Sequence, residues 1–198
     1  GLIGASLPNL YAYEPALAEE LRILLTWAMN QLHQPDGHSV YFRLSTRQLP
    51  QIFSSLDADS VISGGYWYRP PGEETPQMVI ITCGVTLPEA KEAAELLAED
   101  LGTVPILQIT SADRLFADWR NNADQSYIAG LLGAIPSGVP IITIYDGHPL
   151  TLAWLGAVDG RRSRHLGVEK FGQSGDIPDL FSLYKIDADA VIFKLLWI

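Results

Sequence analysis

MVIITCGVTLPEAKEAAELLAEDLG, residues 78–102, decides the fold class. Its first seven residues form an almost unbroken apolar run ending in glycine, the composition of a parallel strand covered on both faces. From Thr86 the pattern changes, and TLPEAKEAAELLAEDLG reads as an amphipathic helix. VPILQIT (104–110) then returns to strand character. A buried strand, a helix and a second buried strand in succession predict an α/β fold around a mostly parallel sheet.

Working outward, LPNLYAY (7–13) reads as a strand and EPALAEELRILLTWAMNQLHQPDG (14–37) as a helix. Pro15 falls in its first turn and Pro35-Asp36-Gly37 form its stop. Leu17, Leu21, Leu24, Leu25, Ala28 and Leu32 share one face, with Glu19, Glu20 and Arg22 elsewhere. HSVYFRLS (38–45) alternates like a strand, so the first unit predicts a parallel crossover. Residues 46–76 carry prolines and glycines and read as a linker ending in an edge strand at Gly65–Arg69. Downstream, a helix is expected from about Arg114, followed by a loop to Ser126. A strand over 139–147, a helix over Pro149–Val158 and a strand over 165–168 come next. The tail DADAVIFKLLWI, with Val191, Ile192, Leu195 and Leu196 at helical spacing, closes the chain.

Composition narrows the function classes. The 198 residues are 47% hydrophobic, with a mean hydropathy of +0.12, enough to build a core. A formal net charge of −10 argues against nucleic-acid partners and anionic membrane surfaces. No apolar run approaches the roughly 18 residues of a membrane span. A lone Cys83 cannot form an internal disulfide, and a reducing cytoplasm is expected. The chain begins GLIGASLPNL, without Met, which is expected of either an excised piece or a chain carrying a tag scar.

The candidate chemical groups each admit a plain reading. The glycine after the 78–83 run sits where a dinucleotide loop would, but GxGxxG is absent. Thr86-Leu87-Pro88-Glu89 reads instead as a capping box, with Thr86 as N-cap and Glu89 reaching back. Cys83 reads as core. His148 stands after a strand with Asp146 positioned to orient it, yet nothing local supplies a nucleophile. Arg161, Arg162 and Arg164 form either a solvated loop or a dock for an acidic partner or anion. In FGQSGDIPDLFSLYKIDADAVI (171–192), Asp176 reads as an N-cap, with Pro178 and Asp179 in the first turn. Leu180, Phe181 and Tyr184 would dock that helix, Asp187 would cap the next, and Gly172 and Gly175 would allow a tight turn. No zinc-spaced Cys/His pair, GxSxG elbow or P-loop is present.

Several stretches together resemble one superfamily. STRQLPQI followed by GGYWYR resembles the end of the pyrimidine-binding domain of transketolases, where a Ser-Arg-Gln-x-x-Pro-Gln element precedes Gly-Gly-Tyr. Here Thr46 replaces the serine beside the arginine, with Ser45 one place earlier. LPNLYAYEPALAEEL looks like the homodimeric-type pyruvate dehydrogenase decarboxylating subunit, a thiamine diphosphate-dependent enzyme. VIITCGVTLPEAKEAAELLAEDLG, FGQSGD and YKIDADAVI are similar to the C-terminal domain shared across the superfamily.

The resemblance implies a transketolase C-terminal-domain-like three-layer fold over 58–198. Residues 1–57 would then be the end of an α/β pyrimidine-binding domain plus a linker. It also implies a parent enzyme that decarboxylates a 2-oxoacid, with thiamine diphosphate and magnesium held by upstream domains and the acyl unit passed to a lipoyl acyltransferase partner. No catalytic, cofactor-binding or metal-binding residue carries over to this chain. The catalytic histidine stretch would lie N-terminal to Gly1. The one transferable site residue is Arg47, matching an arginine that contacts a sugar phosphate in transketolases; here it would meet a carboxylate or shape the entrance. The expected role is structural, within a cytoplasmic homodimer. A transketolase C-terminal region and a stand-alone flavodoxin-like binding module are the alternatives.

Overall fold

A computed structural model of the chain describes residues 7, 9–51 and 55–195. Pro8, Ile52, Leu196 and the other remaining positions of the expected segments lie outside them, as does the Leu195 side chain. Two sheets are present among the described residues. The first pairs β1 (Leu10–Tyr13) with β2 (Ser39–Phe42) in parallel, joined by helix α1 (Ala18–Gln31), as the crossover reading expects.

The second sheet has five strands, β3 (Gly65–Arg69), β4 (Val79–Cys83), β5 (Ile106–Ile109), β6 (Ile141–Tyr145) and β7 (Ser163–Leu166), in the order β3-β5-β4-β6-β7. Only β3, at one edge, runs antiparallel. Side-chain alternation divides the core. Ile80, Ile106, Ile142 and Ile144 face α3 (Leu87–Leu101) and α8 (Ala188–Leu195), whereas Val79, Ile81, Leu107, Ile109 and Ile141 face the opposite layer. That layer contains α4 (Ala112–Asn122), α5 (Tyr127–Leu132) and α6 (Leu150–Ala153). The result is the expected three-layer α/β architecture.

Several elements depart from the sequence reading. Residues 58–63 form a short helix, α2 (Ala58–Ser63), inside what reads as a linker. The Asp57 carboxylate caps it by accepting from the Ser60 amide at 2.9 Å, and Gly64 ends it at φ 118°. A Cβ at Gly64 would meet the Leu115 side chain and the Ser111 carbonyl oxygen, both at 2.8 Å, so glycine is required there. The helix α4 starts at Ala112, a 3₁₀ turn (Ala123–Gln125) takes up the end of the expected loop to Ser126, and α5 follows, where the sequence reading places no element. The helix expected over Pro149–Val158 is a single α turn followed by 3₁₀ structure, and the last strand lies two residues earlier than expected.

The buried face of α1 is rotated from the expected one. Leu25 and Leu32 are exposed, and Ile23, Leu24, Ala28 and the charged Glu20 are buried. Glu20 is drawn inward by its neighbours' unpaired donors at the helix N-terminus. Its carboxylate accepts from the Ala16 amide at 2.5 Å, the Leu17 amide at 2.7 Å and the Tyr66 hydroxyl at 2.9 Å. The helix begins after Leu17, beyond Pro15, and ends ahead of Pro35.

The small sheet lies across the carboxyl edge of the large one. The Glu14 amide donates to the Thr110 carbonyl at 2.8 Å, the Ser111 hydroxyl to the Ala12 carbonyl at 2.8 Å, and the Ala12 amide to Asp113 at 2.9 Å. Arg114 reaches the Tyr13 hydroxyl at 2.6 Å and the Ile62 carbonyl at 2.9 Å, with its guanidinium over the rings of Tyr11 and Trp27. Burial pushes the Tyr13 phenol up to about 12, although Arg114 opposes the shift.

Candidate functional site

Strand order places the site. From β4 the chain goes to β5 on one side and then returns to β6 on the other, so the switch of direction falls between β4 and β6. In open α/β sheets the crevice outside the carboxyl ends at such a switch is the favoured ligand site. Here those ends are Cys83-Gly84 and Tyr145-Asp146. A cavity of about 270 Å³ opens there, lined among others by Glu14, Arg43, Ser45, Gly84 and Asp146.

Three strands each deliver one charged residue to this crevice: β1 is followed by Glu14, β2 by Arg43 and β6 by Asp146. Arg43 Nη1 donates to Glu14 Oε2 and to Asp146 Oδ1, each at 2.7 Å, and Nη2 donates to Asp146 Oδ2 at 3.0 Å. Tyr145 donates its hydroxyl to Glu14 Oε1 at 2.6 Å, and the Arg43 guanidinium lies 5.5 Å from the Tyr145 ring centre. Burial works against the charge on Arg43. The bonds to Asp146 and the charges of Asp146 and Glu14 outweigh it and hold the guanidinium above its ordinary value. Burial, with Cys83 and Glu14 nearby, also pushes the Tyr145 phenol up, so it stays a neutral donor.

Arg47 enters from the next turn of the chain. Its Nη2 donates to Glu89 Oε1 at 2.6 Å and its Nη1 to Glu89 Oε2 at 2.9 Å and to the Val85 carbonyl at 3.0 Å. The Phe181 ring lies under it, 4.9 Å from guanidinium carbon to ring centre. The expected capping box is therefore not formed. Two charge-assisted bonds to a guanidinium outcompete one backbone amide for the Glu89 carboxylate. The Thr86 hydroxyl faces inward, toward the carbonyls of Cys83 and Ile144 and the hydroxyl of Thr82.

The remaining candidates separate. Cys83 is core, 1% exposed, and burial pushes its thiol up, so it is no nucleophile. Asp146 turns to Arg43 and does not orient His148, whose Nδ1 accepts from the Leu150 amide at 3.3 Å. Arg161 is buried, not part of a solvated loop. Its Nη atoms bond to the carbonyls of Leu132, Ile135 and Pro136 and to Asp159, tying off the end of α5. Arg162 and Arg164 are exposed. Asp176 occupies the N-cap position of α7 (Ile177–Tyr184), but its side chain makes no cap bond; Asp187 accepts from the Ala190 amide at 3.0 Å as expected. Phe181 and Tyr184 pack on the sheet side, and Gly175 approaches Leu180. A Cβ at Gly172 would meet nothing within 4 Å, so no tight turn demands glycine there.

Glu14, Arg43 and the buried Glu20 escape sequence reasoning. The usable signal was the ending shared by LYAYE, VYFR and IITIYD, an apolar strand closing on an aromatic and then a charge.

This combination defines a class: a mostly parallel three-layer domain, extended at its amino side by a second α/β unit locked across the switch-point crevice. The chain belongs to the transketolase-like TK C-terminal domain family, whose model matches residues 64–187. The pyruvate dehydrogenase E1 component of Mycolicibacterium smegmatis is 32% identical over 104 residues, 50% of this chain and 11% of the relative. The transketolase of Cereibacter sphaeroides is 30% identical over 188 residues, 94% of this chain and 26% of the relative. The chain thus spans about a tenth to a quarter of the length of these relatives. Among solved structures, transketolase from Leishmania mexicana matches with a TM-score of 0.74 at 20% identity, over 98% of this chain and 26% of its own. A split-gene transketolase, described as an inactive beta4 tetramer, matches with 0.71 at 20% identity, over 96% and 57% respectively. These last two show the shared fold alone.

Proposed function

We propose that the chain is the C-terminal region of a thiamine diphosphate-dependent 2-oxoacid dehydrogenase, of the homodimeric pyruvate dehydrogenase type, and that it serves structure and dimer assembly. The observation that carries this reading is the switch-point crevice, whose charged groups are paired with one another. Where an α/β enzyme would keep reactive groups, Arg43 is shared between Glu14 and Asp146 and locks two sheets together. In this reading residues 1–57 end the pyrimidine-binding domain and 58–198 form the C-terminal domain.

The residues of the crevice do not fit thiamine diphosphate. At about 270 Å³ the cavity falls below the roughly 300–1,000 Å³ of small-molecule sites, and a diphosphate there would face two carboxylates. No cluster of three or more His, Cys, Asp or Glu suited to a metal ion occurs among the described residues. The cofactor and its magnesium are proposed to be held by upstream domains of the parent enzyme. Oxidative decarboxylation with acyl transfer to a lipoyl arm is proposed for the parent enzyme, in a cytoplasmic complex with a lipoyl acyltransferase.

Arg47 is proposed to stand at the substrate entrance. Its full pairing with Glu89 supports a role in shaping that entrance more than in gripping a carboxylate. In the parent enzyme Arg47→Ala is expected to raise KM for the 2-oxoacid; unchanged KM and kcat would remove Arg47 from the entrance.

The relative from Cereibacter sphaeroides, aligned over almost the whole chain, favours transketolase as the second reading. Carbon dioxide release from pyruvate by the parent enzyme distinguishes the two. Release supports the dehydrogenase; no release, with two-carbon transfer between sugar phosphates, would establish the transketolase.

A further inference from the structure

The chain has four lysines, and three of them, Lys170, Lys185 and Lys194, line one cavity of about 370 Å³. This clustering is notable in a chain of formal net charge −10. The three ammoniums come from separate elements: Lys170 from the segment after β7, Lys185 from the end of α7, and Lys194 from the last turn of α8. Glu169 is the only carboxylate in the lining, and none of the three lysines has a hydrogen-bond or ion-pair partner among the described residues. Three ammoniums lining one cavity against a single carboxylate leave it net positive and attractive to an anion.

Two further features mark a built site. Lys185 sits at φ 59°, ψ 45°, a left-handed position that normally goes to glycine or asparagine. A lysine placed there, against backbone preference and in the wall of the cavity, points to a use for its ammonium. The walls are apolar or neutral. Leu166, Leu183 and Tyr184 supply surface, and the Tyr184 hydroxyl donates to the Phe171 carbonyl at 3.0 Å, tethering the loop that carries Lys170. His165 is engaged on both ring nitrogens, by Thr143 at 2.9 Å and Ser163 at 3.0 Å, so it lines the cavity as a fixed wall.

We infer that this cavity binds a small phosphate-bearing molecule with two or more negative charges, its phosphates among the three lysines and its organic part against Leu166, Leu183 and Tyr184. The volume falls in the small-molecule range of roughly 300–1,000 Å³. Lysine suits the task, since its ammonium engages phosphate as a point charge from any side. The site lies at the edge strand β7, shares no lining residue with the Glu14–Arg43–Asp146 crevice, and needs neither the thiamine cofactor nor magnesium.

The test is calorimetric titration of the 198-residue chain with inorganic pyrophosphate, in chelator and low salt. One saturable site is expected, weakening as salt rises. Lys185→Asn, which removes the charge while suiting the left-handed backbone, and Lys194→Gln should each weaken binding about tenfold, equivalent to about 1.4 kcal/mol. Lys91→Gln, which changes the one lysine outside the cavity, should leave affinity within about twofold. Thermal unfolding of each variant checks that the fold is retained. Absence of a saturable site, affinity unchanged in Lys185→Asn and Lys194→Gln, or equal weakening by Lys91→Gln would overturn the inference.

Discussion

Replacing Arg43 by methionine keeps the apolar stem and removes the charge that joins β1, β2 and β6. Three charge-assisted bonds of 2.7, 2.7 and 3.0 Å are lost, and two carboxylates are left facing each other. Breaking a fully buried ion pair costs about 3–5 kcal/mol. Two features reduce that figure here: the Arg43 side chain is 34% exposed, and Glu14, only 7% exposed, keeps its bond from the Tyr145 hydroxyl. The expected loss is about 2–3 kcal/mol after this discount for solvent screening. Urea unfolding at neutral pH, followed by far-ultraviolet circular dichroism, measures it. Adding Asp146→Asn to Arg43→Met should cost less than the sum of the two single changes, by at least about 1 kcal/mol, because both remove the same interaction. A loss below about 0.5 kcal/mol, or strict additivity, would refute the claim that this cluster locks the two sheets.

Two other perturbations probe independent parts of the fold. Burial raises the Glu20 carboxyl above its ordinary 4.5, against hydrogen bonds from the Leu17 amide, the Tyr66 hydroxyl and the Ala16 amide, with Gln108 alongside. The folded chain therefore holds this proton more tightly than the unfolded chain. The associated stability is complete below the ordinary value and is lost as pH rises through the raised one. Glu20→Gln should gain stability relative to the parent chain as pH rises from 4.5, and a pH-independent difference in urea midpoints would contradict this. Gly64→Ala combines a left-handed backbone with contacts of 2.8 Å to Leu115 and to a carbonyl, and should lower stability by about 1–3 kcal/mol in the same assay. A neutral result would show that the turn can rearrange.

The legible part of the fold was the part governed by short-range pattern. β4, β5 and β6 are apolar runs that only a two-sided burial explains, and β3 showed itself through Gly65 and the aromatics after it. The short α2 was concealed by its polar content, although Asp57 and Gly64 are its ordinary start and stop. The face of α1 was misjudged because counting leucines ignores caps. Glu20, placed to take the free amides of Ala16 and Leu17, turns inward and rotates Leu25 and Leu32 outward. The capping box at Thr86 failed because Arg47, 42 residues from Glu89, competes for the carboxylate. Likewise Arg43 and Asp146 are separated by 103 residues, and no local spacing connects them. Family resemblance reached the fold and the enzyme superfamily, but these pairings depend on how the strand ends converge.

Magnesium-dependent titration of thiamine diphosphate into the 198-residue chain tests the central claim most directly. If the chain is, as proposed, the C-terminal region of a larger thiamine enzyme, with Glu14, Arg43 and Asp146 paired to one another in its switch-point crevice, it should give no binding that requires magnesium. Tight, saturable, magnesium-dependent binding would contradict the account and place a cofactor site within the chain itself.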